Sequence, residues 1–265
     1  MGATTARPGL LEGALRRDRL VVGAGLALVT VLGWMYIVRM ARMMSPHAMV
    51  SMAMPMSGGP GVPAIAWLIP MWIVMMVAMM LPSAAPAILL FASVARRRRE
   101  RDTPAASAAV FTLGYLLIWT LYATIAAMAQ WGLHEAALLS PAMVSASPWL
   151  GGGLLIAAGV YQWLPVKDAC LSQCRSPLGF FSSEWREGAW GALVMGVRHG
   201  SFCVGCCALI MALLFVAGVM NLLWVAAIAI FVLAEKIGPG GRTLGRATGL
   251  IMIACGIGVI GAGLG

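Results

Sequence analysis

Residues 190–236 read WGALVMGVRHGSFCVGCCALIMALLFVAGVMNLLWVAAIAIFVLAEK. Two apolar runs, 190–217 and 220–236, meet at a turn around Gly218 and Asn221. Each is near the length of about 20 residues that a helix needs to cross the hydrocarbon core of a bilayer. Working outward, similar runs occupy 149–165, 107–131, 64–93 and 20–38 upstream and 246–264 downstream. The expectation is an all-α, polytopic membrane helix bundle of about seven transmembrane helices. Composition agrees: 61% of the 265 residues are hydrophobic and 10% charged, against about 25% charged in soluble domains. No polar stretch is long enough for a second domain.

Basic residues in short connections orient such a bundle. Arg16, Arg17 and Arg19 precede the first run; Arg96, Arg97, Arg98, Arg99 and Arg101 follow the second. Lys167, Arg175 and Arg186 lie between the fourth and fifth, and Lys236, Arg242 and Arg246 between the sixth and seventh. With seven alternating helices all four sets fall on one side, which the positive-inside rule makes cytoplasmic. Arg39 and Arg42 are the exception, at the outer end of the first helix. The organisation expected is a cytoplasmic N-terminal tail, 1–19, and a single transmembrane domain, 20–265, with a Met-rich external loop at 39–63. No small-residue cleavage site follows the first run, so it reads as a retained signal anchor rather than a cleaved peptide. The setting expected is a bacterial inner membrane, with the lipid bilayer as first partner and a homo-oligomer left open.

The net charge of +9 is spread over those connections and is no nucleic-acid footprint. Walker loops, dinucleotide fingerprints, nucleophile elbows and HExxH motifs are absent from the sequence. No close pair of carboxylates falls in an apolar run, so no catalytic residue is expected and the reading favours a non-enzyme.

Sulfur carries the chemistry. Thirteen of the 20 methionines fall between Met35 and Met80. Met40, Met43, Met44, Met49, Met52, Met54 and Met56 sit in the outer loop with His47. On the second helix Met71, Met75 and Met79 are spaced by four, as are Met76 and Met80, and residues four apart share a helix face. Thioethers are soft ligands that select Cu(I), although methionine also fills irregular apolar gaps. The fifth helix carries His199, Cys203 and Cys207 at spacing four, with Cys206 three from Cys203. An imidazole and three thiols on one stripe suit a soft metal, Cu(I) ahead of zinc. Cys170 and Cys174 form a second pair, C-x3-C, in the connection between the fourth and fifth helices, where metal could be handed to a carrier. Cys255 stands alone and reads as core.

Ionisable groups within a bilayer are costly and tend to be functional. Counting from the turn at Gly218, Glu235 falls level with Cys203, which predicts pairing of Glu235 with Arg198 or His199. Lys236 is expected to snorkel to the surface. Gly196 and Gly200 either admit a neighbouring helix closely or kink their own.

The segments MWIVMMVAMMLPSAAP (71–86), 161–174, MGVRHGSFCVGCC (195–207) and LAEKIGP (233–239) resemble a prokaryotic family of predicted metal-binding integral membrane proteins of unknown function. The resemblance implies a multi-helix membrane protein whose metal ligands are drawn from His199, Cys203, Cys206, Cys207, Cys170 and Cys174, with Glu235 in the same motifs. The first expectation is therefore a Cu(I)-binding or transport protein that passes metal from the Met-rich loop to the His/Cys cluster, with a cytosolic or periplasmic metal carrier as partner. The alternatives are a membrane thiol-disulfide oxidoreductase and a non-catalytic assembly subunit.

Overall fold

The computed structural model describes residues 8–43, 62–99, 106–139, 145 and 147–263. His47 and loop methionines 44, 49, 52, 54 and 56 lie outside the described residues. In chain order the helices are α1 (Pro8–Met43), α2 (Val62–Arg99), α3 (Ala108–Glu135), α4 (Pro148–Tyr161), α5 (Pro165–Arg175), α6 (Pro177–Glu184), α7 (Gly188–Ala212), α8 (Leu214–Ala217), α9 (Leu222–Ile237) and α10 (Gly241–Ala262). Among the described residues the architecture is all-α, and the one β-bridge, Leu139 with Ser145, is isolated.

Every apolar run is helical, but not every run is a long helix. Five segments are long and apolar enough to cross a membrane: Arg19–Met43, Ile65–Arg99, Ala108–Glu135, Gly188–Ala217 and Gly241–Ala262. α4 and α5 make a sixth if taken together, bent by 67°. The expected single span at 149–165 is broken because Pro165 pushes Leu164 to an extended conformation, φ −75° and ψ 137°, as a residue before proline prefers. α9 has 16 residues, about 24 Å at the α-helical rise, short of a bilayer core. α1 begins at Pro8, so the expected tail is helical from that point.

The turn at 218–221 forms where expected: Gly218 takes φ +97°, and Asn221 caps α9 by accepting from the Trp224 amide at 3.3 Å. α2 runs unbroken through Pro70, Pro82 and Pro86.

Burial sorts the helices. Half or more of the apolar window is buried in α2 (56%) and in α7 with α8 (50%), against 11% for α1 and 17% for α10. α2 and α7 therefore build the core, while α1 and α10 present apolar side chains outward. α3 meets α7 backbone to backbone. A Cβ on Gly196 would run into Phe111 O and lie 3.0 Å from Tyr115 N. One on Gly200 would lie 3.1 Å from Ile118 Cβ and Tyr115 O. The glycines of α7 thus serve close approach. α4 and α10 cross the same way, with Gly152 against Gly256 and Gly159 against Gly249.

Several of the described basic residues are tied to other elements. Arg19 Nε donates to Ser93 Oγ at 2.9 Å, tying the α1 side to the end of α2. Arg98 pairs with Glu187 at 3.1 Å and lies over the Trp185 ring. Arg246 and Arg242 reach Asp168 at 3.1 and 3.7 Å. Two cations in these sets depart from the expectation: Lys167 and Lys236 are buried. Each is held by a buried partner described below, which is why neither extends to the surface.

Candidate metal centre

The cluster is built on α7. Cys203, Cys206 and Cys207 are all but fully buried, because α3 and α5 pack against α7 and the end of α9 closes over Cys203. Cys207 Sγ lies 3.9 Å from Met80 Sδ on α2. Tyr115 of α3 places its hydroxyl 3.1 Å from Cys203 Sγ and also donates to Met80 O at 3.2 Å. Lys236, at the end of α9, donates from Nζ to Cys203 Sγ at 2.8 Å and to Ser83 Oγ at 3.1 Å. Cys203 Sγ is thus the hub on which side chains from α3, α7 and α9 converge.

The Cys170–Cys174 pair and the three α7 thiols, read as separate in the sequence, come together. α5 folds back against α7, so the Cys174 side chain interacts with those of Cys203 and Cys206. Cys170 packs on Gly205, where an added Cβ would lie 2.8 Å from its sulfur. Tyr161 at the end of α4 donates to Gly205 O and holds the same junction. Cys170 and Cys174 are half-buried where the α7 thiols are buried. The sulfurs therefore run from a sealed interior to a partly open rim. We predict that a water-soluble maleimide modifies Cys170 and Cys174 well before Cys203, Cys206 or Cys207, read by peptide mass after timed quenching. Equal rates at all five would contradict this burial order.

Among the described residues, no three His, Cys, Asp or Glu side chains stand in a ready-made metal-binding arrangement. The reason is visible in the rotamers. Cys206 Sγ and Cys207 Sγ lie against the Cys203 side chain but both also donate to Cys203 O, at 3.1 and 2.8 Å, so a backbone carbonyl of their own helix holds each of them. A soft ion would have to draw them round; the donor types and their proximity fit one.

Met71, Met75, Met76, Met79 and Met80 are all buried in the core, with Met80 at the thiols. His199 is buried one turn from Cys203 among Phe111, Tyr115 and Phe180, with ring centroids 5.9, 6.1 and 5.3 Å away. Its Nδ1 has no hydrogen-bond partner among the described residues, which leaves a nitrogen donor on the thiol stripe.

The expected pairing of Glu235 with Arg198 or His199 is not what the structure holds. Arg198 pairs with Glu184 on α6, at the half-exposed edge of the bundle. Glu235 turns away from α7 and accepts from Lys167 Nζ at 2.6 and 2.9 Å on its two oxygens. Gln162 also accepts from Lys167, and Arg175 donates to the carbonyls of Glu235 and Gly238. Adjacent residues on a helix point about 100° apart, so Glu235 can hold α5 while Lys236 faces the thiols. Space for this knot comes from Gly245, where a Cβ would meet Glu235 Oε1. Sequence reading missed Lys236, Ser83, Tyr115 and Lys167 as site residues. The signal available was the Glu235-Lys236 pair itself, two adjacent charges ending an apolar helix.

The fold and site thus define an all-helical bundle with membrane-length helices around a buried sulfur cluster. The chain belongs to the PpoB2 family, described as a copper chaperone, which matches residues 69–259. That match takes in Met71 to Met80 and every cysteine. No curated protein and no solved structure matches the chain.

Proposed function

We propose that this protein handles Cu(I) within a bacterial inner membrane, with its N-terminus in the cytoplasm. The Met-rich segment between α1 and α2, residues 44–61 with His47, collects the ion outside, together with Met40 and Met43, which lie on the last turn of α1 rather than in a loop. Met71, Met75, Met76, Met79 and Met80 carry it along the core face of α2. Cys203, Cys206 and Cys207 hold it, with His199 as a further donor, and Cys170 and Cys174 pass it to a carrier. One observation carries this reading: Cys174 from α5, three cysteines from α7 and Met80 from α2 converge in the core of a copper chaperone family member. Thioether followed by thiolate is a gradient of rising softness. Thiols must lose their protons to bind metal, so the thiolate end holds the ion more tightly.

The test is the metal content of protein purified in detergent without oxygen and loaded with Cu(I). Near-stoichiometric copper is expected in the wild type and little in a variant carrying Cys203→Ser, Cys206→Ser and Cys207→Ser, with Met80→Leu intermediate. Unchanged copper in the triple variant would remove these residues as the site. A reversible disulfide forming without metal would move the oxidoreductase reading ahead.

A further inference from the structure

Lys236 is an unusual neighbour for a metal site. It is 6% exposed, and among the described residues its ammonium bonds to Cys203 Sγ and Ser83 Oγ. The adjacent Glu235 carboxylate is taken up by Lys167 on the other side of α9. A lysine at a helix end normally extends its head into water, and burying an ammonium is costly unless an opposite charge compensates it. Here the compensating position is a sulfur at the centre of the thiol cluster.

We propose that Lys236 sets the charge selectivity of the site: it is a built-in counter-cation that makes a monovalent metal bis-thiolate electroneutral. This rests on reading the cluster as a copper site. Of the three α7 thiols, Cys203 and one neighbour bind as thiolates in a two-coordinate site while the third stays protonated, so the bound sulfurs carry two negative charges. Cu(I) supplies one positive charge and the Lys236 ammonium the other, so the buried assembly is neutral. Met80 adds a soft donor without altering that sum. A divalent ion in the same place leaves one uncompensated positive charge, which a water-poor interior penalises. Without the ammonium the arithmetic reverses: the divalent complex becomes neutral and the monovalent one an anion. Softness alone ranks Cu(I) well at thiolates but also admits zinc, so a fixed charge is the element that separates ions of unequal valence.

The experiment measures Cu(I) and Zn(II) affinities of the full chain in detergent, without oxygen, by competition with chromophoric chelators. Lys236→Met keeps an unbranched side chain of similar length and removes the charge; Lys236→Gln serves the same purpose if the methionine variant does not purify as a single species. The ratio of Cu(I) to Zn(II) affinity is expected to fall by about tenfold or more in the neutral variant and to be retained in Lys236→Arg. Equal weakening of both metals would overturn the proposal, since a merely structural lysine affects both alike. So would an equal fall in the arginine variant. A wild-type protein that binds no Cu(I) would instead overturn the copper reading itself, and the inference with it.

Discussion

Replacing Glu235 with glutamine is expected to destabilise the bundle by about 3–5 kcal/mol, the usual cost of removing one member of a buried ion pair. Glu235 and Lys167 side chains are each 2% exposed and 2.6 Å apart. Glutamine keeps the shape but leaves the Lys167 ammonium with neutral acceptors only. The effect should reach the metal centre, because Lys167 and Arg175 flank Cys170 and Cys174 on α5 and both reach for the end of α9. Loosening that end frees α5 to move from α7, and Cys174 should then react faster with maleimide. The double variant Glu235→Gln with Lys167→Met removes both charges and should recover most of the stability, since an apolar replacement of a whole pair is often neutral. Equilibrium unfolding in mixed SDS micelles gives the free energies. A single variant as stable as wild type would mean that the pair is not the clamp described here.

Gly196→Ala has the second large effect expected, about 1–3 kcal/mol of destabilisation from overpacking. The new methyl would meet the Phe111 carbonyl and the Tyr115 amide, both backbone, which cannot rotate away as a side chain could. α3 and α7 would have to separate, drawing the Tyr115 hydroxyl from Cys203 and from Met80 O. Copper retention should fall with stability. Gly25→Ala on α1 is the control: nothing lies within 4 Å of its Cβ position, and a change there should stay within about 0.5 kcal/mol. Matching losses at the two positions would show that close packing does not govern Gly196, since alanine is the better helix former at both.

The apolar runs gave the helices because a spanning segment must satisfy its backbone internally, and this constraint shows in hydropathy alone. The i, i+4 stripe at His199, Cys203 and Cys207 was legible for a similar reason: helical periodicity places those side chains on one face whatever packs against them. The length of α4 was less legible, since hydropathy continues through Leu164 while the proline at 165 ends the helix locally.

By itself, then, the sequence determined that the apolar runs are helical, though not the short helices α5 and α6 in the connection that follows α4, and that thiols and thioethers each share a face, because these depend on order along one chain. Only the tertiary structure decided which faces meet. It joined Cys174 to the α7 thiols, set Met80 beside Cys207, sent Glu235 to Lys167 rather than to Arg198, and turned Lys236 inward onto Cys203. Those choices depend on how closely glycine-faced helices approach and on where a buried charge finds its opposite. They are properties of several helices together, which no one segment carries.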